Sequence, residues 1–266
     1  MAEPEQEAPE TEDAVSNAQV LEALHRLDKR LGALYSLMSM QSLGPDALMR
    51  FVHQDREIRF HVPDAVTDNI QRFMMEKRTF WEQRLLDRAL PHLRECRTAA
   101  DIGANIGNHA VFMGLIAGIP EVTCFEPQRY VFGLLQKNLA VNGLEHFKTI
   151  NSAVGSRVGG ADMVLHRNTS FHGTAYREST DGEFPVTTLD ESFPDGIDFI
   201  KIDVEGMQME VLGGAVETLK AHKPTLWMEL RRNHNEFEPV NKFLEDLGLG
   251  YTASPLGPDD CLFHAR

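Results

Sequence analysis

The sequence predicts an α/β protein built on a doubly wound, mostly parallel sheet, and three observations support that prediction. Short apolar runs alternate with helical patterns between residues 97 and 247, which is the rhythm of a parallel sheet. In residues 98–113 an apolar run passes through a loop of small residues into a helical pattern. Acidic residues follow several of the apolar runs, at the edge where such sheets bind ligands.

Length, charge and cysteine usage limit the classes of function. A chain of 266 residues suffices for one large α/β domain with an extension. A net charge of −14 argues against nucleic acid as a partner, since phosphate binding needs a basic surface. No apolar run approaches the roughly 18 residues of a membrane helix, so no membrane span is expected. Three scattered cysteines and no secretory signal predict a reducing, cytoplasmic location.

The N-terminal hundred residues divide into three predicted segments. Residues 1–14 are acidic and almost without apolar side chains, which predicts a disordered tail. Residues 15–43 form an amphipathic helix, either a coiled coil that assembles a homo-oligomer or a helix packed on its own domain. Residues 44–96 form an extension with a strand at 58–62 and a lid helix over 68–92, broken around Pro91. The apolar stripe of the first helix has spacings of 4, 3, 4, 3 and 4, through Val20, Leu24, Leu27, Leu31, Leu34 and Met38.

The predicted core domain covers residues 97–266. Residues 155–182, rich in glycine, serine and threonine, predict a loop and hairpin region near the site. The last two strands are expected to be antiparallel. The predicted helices cover residues 108–117, 129–141, 207–220 and 236–247. The predicted strands cover residues 99–102, 121–125, 147–150, 184–188, 198–202, 225–230, 250–253 and 261–264.

The loop after the first core strand indicates a nucleotide-like ligand. It reads Gly103, Ala104, Asn105, Ile106, Gly107. A dinucleotide fingerprint has glycine where Asn105 stands, and that glycine lets the backbone approach a pyrophosphate. The loop therefore favours a ligand without a pyrophosphate, and S-adenosylmethionine is such a ligand. The competing interpretation is a tight strand-to-helix turn with no ligand.

Carboxylates follow successive predicted strands. Buried carboxylates are costly unless paired, so a set of them at one sheet edge favours a functional site. Glu126 lies 19 residues after Gly107, where a carboxylate accepts hydrogen bonds from both ribose hydroxyls. Ser152 and Ala153, after the third strand, are expected to flank the adenine. The acids at the strand ends are Asp101, Glu126, Asp203, Glu205 and Glu229.

Seven short motifs between residues 97 and 229 together resemble the FkbM-type methyltransferases. They read DIGANIGNHA, FEP, NLAVNG, NSAVG, TLD, FIKIDVEG and ME. The resemblance implies an S-adenosylmethionine-dependent O-methyltransferase with the seven-stranded, Rossmann-like class I fold, acting on a sugar, glycan or natural-product acceptor. It also implies cofactor contacts for Asp101, Gly103, Asn105, Gly107 and Glu126. Met207-Gln208 departs from the Ala-Glu that the family often has.

Methyl transfer to a hydroxyl needs a group that takes the proton. Our first candidate is His172, because imidazole titrates near neutral pH. Asp203, Glu205 and Glu229 are further candidates, and Lys201 is expected to pair with one of these acids. His109, His166 and His172 also admit a divalent metal, but no metal-ligand spacing is present, so no metal site is predicted.

Two other classes of function remain open at this point. One is a nicotinamide-dependent oxidoreductase, which Asn105 disfavours. The other is a non-catalytic scaffold that oligomerises through the helix at 15–43. Methylation of an amine or a carboxyl group is a close alternative to O-methylation.

Overall fold

The computed structural model describes residues 17–164, 175–179 and 181–265. Its helices are α1 (Asn17–Ser42), α2 (Asn69–Lys77), α3 (Gln83–Leu93), α4 (Asn108–Phe112), α5 (Arg129–Val141), α6 (Leu189–Ser192), α7 (Gln208–Gly213), α8 (Val216–His222) and α9 (Phe237–Asp246). Its strands are β1 (Leu48–His53), β2 (Arg56–His61), β3 (Thr98–Ile102), β4 (Glu121–Phe125), β5 (Lys148–Ile150), β6 (Ala153–Val154), β7 (Gly159–Val164), β8 (Ala175–Ser179), β9 (Phe184–Thr187), β10 (Phe199–Ile202), β11 (Thr225–Glu229), β12 (Tyr251–Pro255) and β13 (Asp260–Ala265).

A seven-stranded sheet with the order β12-β13-β11-β10-β3-β4-β5 forms the centre of the molecule. Strands β3, β4, β5, β10 and β11 run parallel, and β13 is antiparallel to both β11 and β12. This order and direction confirm the predicted doubly wound, mostly parallel class I sheet with antiparallel last strands. The chain fills one half of the sheet from β3 to β5 and then returns to place β10 beside β3. The topological switch point therefore lies at β3.

Both faces of the central strands are buried, which explains their almost continuous apolar sequence. In β3, Ala99 packs into the core on one face and Ala100 into the core on the other. Strand β10 is buried at all four positions, including Lys201. A charged side chain at such a position needs a partner, so this strand already indicates a polar cluster inside the sheet.

The N-terminal extension begins with a hairpin, β1–β2, of which only the second strand was predicted. Gln54 and Asp55 form its two-residue turn with φ of 46° and 62°, as in a type I′ turn. The hairpin is joined to the core through the buried Asn138 of α5, whose Oδ1 accepts a hydrogen bond from His61 N at 2.7 Å. Asn138 Nδ2 donates to Ile106 O at 2.8 Å, so one amide connects the extension to the glycine loop.

Several predicted helix bounds were wrong. The helix expected over residues 68–92 is two helices, because Arg78 and Glu82 adopt φ of 52° and 56° between α2 and α3. Pro91 does not break α3. The helix continues to Leu93, and the Leu93 side chain is buried. The helix expected over 207–220 divides after Gly214, which lies so close to the Gly155 carbonyl that a Cβ would overlap it. The helix expected over 108–117 changes to a π-helical turn at Met113–Ala117.

A second, four-stranded sheet has the order β6-β9-β7-β8. It contains the β7–β8 hairpin that the sequence predicted for this region. Within the described residues, no helix is long and apolar enough to cross a membrane. The cytoplasmic location stays a prediction from the sequence.

Candidate active site

A cavity of about 280 Å³ opens beyond the carboxyl ends of β3, β4 and β10, at the switch point of the sheet. Its volume is near the lower end of small-molecule sites, which is roughly 300 Å³. The glycine loop, the segment after β4 and residues 203–207 form its floor. Residues 69, 70, 81 and 82 of the N-terminal extension form its outer wall. The cavity therefore lies between the sheet and the extension.

The glycine loop approaches β10 closely. Gly103 has φ of 80°, and a Cβ at this position would overlap the backbone carbonyl of Asp203. The amides of Gly103 and Ala104 both donate to Phe125 O at 3.0 Å, which fixes the loop to the end of β4. Only glycine satisfies both the positive φ and the contact with Asp203.

Asn105 occupies a left-handed position with φ of 50°. Asparagine tolerates this conformation better than most residues because its side chain bonds the local backbone. Its Oδ1 accepts a hydrogen bond from Ile106 N at 2.7 Å. The residue thus serves the turn as well as the cavity wall, which the sequence argument did not foresee.

Glu126 is a buried, oriented carboxylate in the cavity. Its Oε2 accepts from Asn105 N at 3.1 Å and its Oε1 from Gln128 N at 2.8 Å. Burial raises the pKa of Glu126 to about 7, although both backbone hydrogen bonds act to lower it. Each oxygen is held by one donor and has capacity for another, so the group presents two oriented acceptors to a ligand.

Behind the cavity floor, Lys201 links two acids. Its Nζ donates to Asp203 Oδ2 at 3.0 Å and lies 3.8 Å from Asp101 Oδ1. Burial lowers the pKa of Lys201, but the charges of Asp203 and Asp101 raise it further, so the group is cationic. Neither oxygen of Asp101 accepts a hydrogen bond from the residues described. The positive charge of Lys201 therefore compensates the negative charge of the fully buried Asp101.

Asp203 and Glu229 share a proton at the cavity surface. Burial and the Asp203 charge raise the pKa of Glu229 to about 9, so Glu229 is protonated at neutral pH and donates to Asp203. Burial also acts to raise the pKa of Asp203, but Lys201 and the bond from Glu229 hold it below its usual value. Asp203 is thus a stabilised anion between two donors and a weak proton acceptor.

A glutamate of the outer wall and a histidine of α4 lie together in the cavity. Asn108 Oδ1 accepts from Trp81 N at 2.9 Å and Asn108 Nδ2 donates to Trp81 O at 3.1 Å, which fixes the segment before α3. Glu82 follows, and its Oε2 lies 3.5 Å from Nε2 of the buried His109. The His109 ring packs edge-on against Trp227, with 5.2 Å between the ring centroids. The imidazole therefore lies beside one carboxylate, and its Nε2 makes no hydrogen bond to any described residue.

The structure assembles most of the candidate residues at this cavity. Three of them lie behind the cavity, namely Lys201, Asp101 and Gly107. A Cβ on Gly107 would meet Leu135 Cδ1 at 2.9 Å, so this glycine allows close packing against α5. His172 lies outside the described residues. Glu205 is paired with Arg231. The candidates that line the cavity are Gly103, Ala104, Asn105, Glu126, Ser152, Ala153, Asp203, Glu205 and Glu229.

A lid helix was expected in the N-terminal extension, but the individual residues through which the extension reaches the cavity were not identified from the sequence. Trp81 and Glu82 belong to no local sequence motif. Asn108, which forms hydrogen bonds with Trp81, lies 27 residues further along the chain. His109 was considered only as a metal ligand. Among the residues described, no group of three or more His, Cys, Asp or Glu side chains is arranged to hold a metal ion.

Gln208, at the departure from the family motif, has a defined role. Its Nε2 donates to Glu229 O at 3.1 Å and to Glu236 Oε2 at 3.3 Å. An amide suits this position because both partners are acceptors, and a glutamate would face Glu236 without a donor unless it were protonated.

Comparisons with known proteins agree with this architecture. Residues 101–251, more than half of the chain, match the family model described as the methyltransferase FkbM domain. The methyltransferase sdnD of Sordaria araneosa is 27% identical over 154 residues, which cover 44% of this chain and 60% of that protein.

Two solved structures are similar at lower identity. The methyltransferase FkbM from Methylobacillus flagellatus has a TM-score of 0.48 and 21% identity, and the match covers 63% of this chain and 43% of that one. A methyltransferase from Geobacter sulfurreducens has a TM-score of 0.46 and 15% identity, over 74% of this chain and 86% of that one. The chain thus spans less than two thirds of sdnD and of the M. flagellatus chain.

The match to the family model extends from Asp101 in β3 to the first residue of β12, and so includes the glycine loop, Glu126 and Asp203. On that match, this chain belongs to the FkbM methyltransferase family.

Proposed function

We propose that this protein transfers a methyl group from S-adenosylmethionine to a hydroxyl of a small-molecule acceptor, such as a sugar, a glycan or a natural product. The observation that carries the proposal is Glu126, a buried carboxylate oriented by two backbone amides in the cavity at the switch point. A carboxylate after the second strand suits a ribose with both hydroxyls free.

The residues present fit this cofactor. Glu126 would hold the ribose hydroxyls, and Ser152 and Ala153 would border the adenine. Gly103 and Asn105 would face the amino-acid portion, in a loop where Asn105 replaces the glycine through which a dinucleotide fingerprint admits a pyrophosphate. The bound cofactor supplies an electrophilic methyl group on its sulfonium, and the chain positions both reactants around it.

We assign the removal of the proton from the acceptor hydroxyl to the Glu82–His109 pair. Asp203 is a poor base because Lys201 and Glu229 stabilise its anion, and Glu205 is occupied by Arg231. Glu82 and His109 line the same cavity beside Trp81, on the side of the N-terminal extension. Glu82 Oε2 lies 3.5 Å from His109 Nε2, so a carboxylate stands beside the ring that would take the proton. His172 stays a prediction from the sequence.

The function is tested with radiolabelled S-adenosylmethionine and a panel of sugar, polyol, amine and carboxylate acceptors. We expect label in a product that survives mild base, because a methyl ether is stable there and a methyl ester is hydrolysed. Label found only in amine or ester products would reject methylation of a hydroxyl while retaining the methyltransferase.

The base is tested with His109→Asn and His172→Asn on an acceptor found in that panel. His109→Asn should lower kcat by about 10²- to 10⁴-fold, and S-adenosylhomocysteine should bind it as tightly as wild type. Glu82→Gln should lower kcat in the same direction. A wild-type kcat in His109→Asn together with a lowered kcat in His172→Asn would show that His172 is the base.

A further inference from the structure

Helix α1 carries a continuous apolar stripe that no described part of the chain covers. Its six stripe positions, from Val20 to Met38, are spaced 4, 3, 4, 3 and 4, which is the a/d pattern of a coiled coil. Their exposed fractions lie between 44% and 65%. Leu21 and Leu37, at flanking positions, are 56% and 48% exposed and widen the stripe.

The helix is anchored at one end only. Met40 and Leu43, at its C-terminal end, pack against the core, and the stripe N-terminal to them extends away from that contact. At 1.5 Å per residue a helix of 26 residues is about 39 Å long. The alternative that α1 packs its apolar face on its own domain therefore does not hold for the described residues.

The stripe is complementary to a copy of itself. In an antiparallel pair, Val20 meets Met38, Leu24 meets Leu34 and Leu27 meets Leu31. A parallel pair in register stacks each residue on its own copy. All six layers are apolar in both arrangements, and the described charges of Glu22 and Arg26 pair with each other off the stripe.

The exposed area matches what a dimer needs. Eight large apolar side chains, each about half exposed, offer on the order of 700 Å² per chain, against about 800 Å² per partner in a standard interface. Monomeric proteins rarely expose an apolar patch of this size. We propose that two copies of this chain associate through their α1 helices as a two-stranded coiled coil.

The test is the mass of the full chain by light scattering over a concentration series, with two matched variants. Leu27→Asp places an acid in the central layer, and His25→Asp places the same residue on an exposed position of the same helix outside the stripe. Wild type and His25→Asp should show twice the chain mass of 29.9 kDa. Leu27→Asp should show the mass of one chain, with unchanged binding of S-adenosylhomocysteine.

A wild-type mass of one chain at every concentration would overturn the proposal. A dimer mass that Leu27→Asp leaves unchanged would also overturn it, because another surface would then hold the copies together. A mass of three or more chains would refute the two-stranded arrangement. The control variant separates loss of the stripe from loss of helix, since both variants introduce aspartate into α1.

Discussion

Replacing Glu126 by glutamine tests the ribose contact through its pH dependence. The free protein holds the pKa of Glu126 at about 7 through burial. Only the ionised carboxylate can keep its hydrogen bonds from both backbone amides and still accept hydrogen bonds from two ribose hydroxyls. Affinity for the cofactor should therefore fall as the pH drops through 7.

The magnitude follows from the ionised fraction. With a pKa of about 7, roughly nine tenths of Glu126 is ionised at pH 8 and roughly one tenth at pH 6. The Kd of S-adenosylhomocysteine should rise about tenfold between these values, or about 1.4 kcal/mol. S-adenosylhomocysteine is the suitable probe because it has the same ribose and no sulfonium.

Isothermal titration calorimetry at pH 6, 7 and 8 measures this dependence in wild type, Glu126→Gln and Glu217→Gln, in which an exposed glutamate of α8 is changed. Glu126→Gln should bind weakly at every pH, because one carboxamide cannot accept from both amides and both hydroxyls. Glu217→Gln should follow wild type. A flat wild-type profile, or a tenfold dependence that persists in Glu126→Gln, would refute the reasoning.

The same group affects stability in the free protein. A carboxyl whose folded pKa is raised from 4.5 to about 7 stabilises the fold fully below pH 4.5 and loses that contribution as the pH rises through 7. The difference corresponds to roughly 3 kcal/mol. Glu126→Gln removes this pH dependence and leaves one amide of Asn105 or Gln128 without an acceptor, so its unfolding must be measured alongside binding.

Two further predictions concern stability, and denaturant unfolding measures both. Gly103 and Gly118 share a φ of 80°, but a Cβ at Gly118 has open space; Gly118→Ala should cost about 1–2 kcal/mol, and Gly103→Ala about 1–3 kcal/mol more because it overlaps Asp203. Equal losses would show that the close approach is unimportant. Lys201→Met should cost about 3–5 kcal/mol by leaving Asp101 buried without a cation, and adding Asp101→Asn should recover part of it. No recovery would mean that the two groups are not coupled.

Local sequence predicted the elements whose signals are local. Strand β4 and helix α5 have the predicted bounds, because Glu126-Pro127 ends the strand and Asn142-Gly143 ends the helix. The acids at the strand ends meet at one edge because parallel strands share their direction. Glu126, Asp203 and Glu229 were identified for that reason.

The missed features depend on contacts between distant segments. The interruption before α3 is fixed by Asn108, which bonds both backbone groups of Trp81. No periodicity in residues 68–92 records that contact. Glu82 and His109 come together only because this segment folds over the first core helix. Their proximity therefore could not be predicted from the sequence.

Burial sets the environment of two predicted residues in a way that the sequence does not record. Asp101 follows the strand pattern of a cofactor ligand, but it lies inside the sheet beside Lys201. Glu229 reads as a candidate base, but desolvation and the nearby Asp203 keep it protonated. Residue type and position are visible in the sequence, whereas the protonation state depends on neighbours that only the fold supplies.

The central claim is that the cavity binds S-adenosylmethionine and not a nicotinamide dinucleotide. Calorimetric titration of S-adenosylhomocysteine and NADH into the full chain at pH 8 tests it most directly. The account predicts one S-adenosylhomocysteine per chain and no heat of binding for NADH. Binding of NADH without binding of S-adenosylhomocysteine would contradict it.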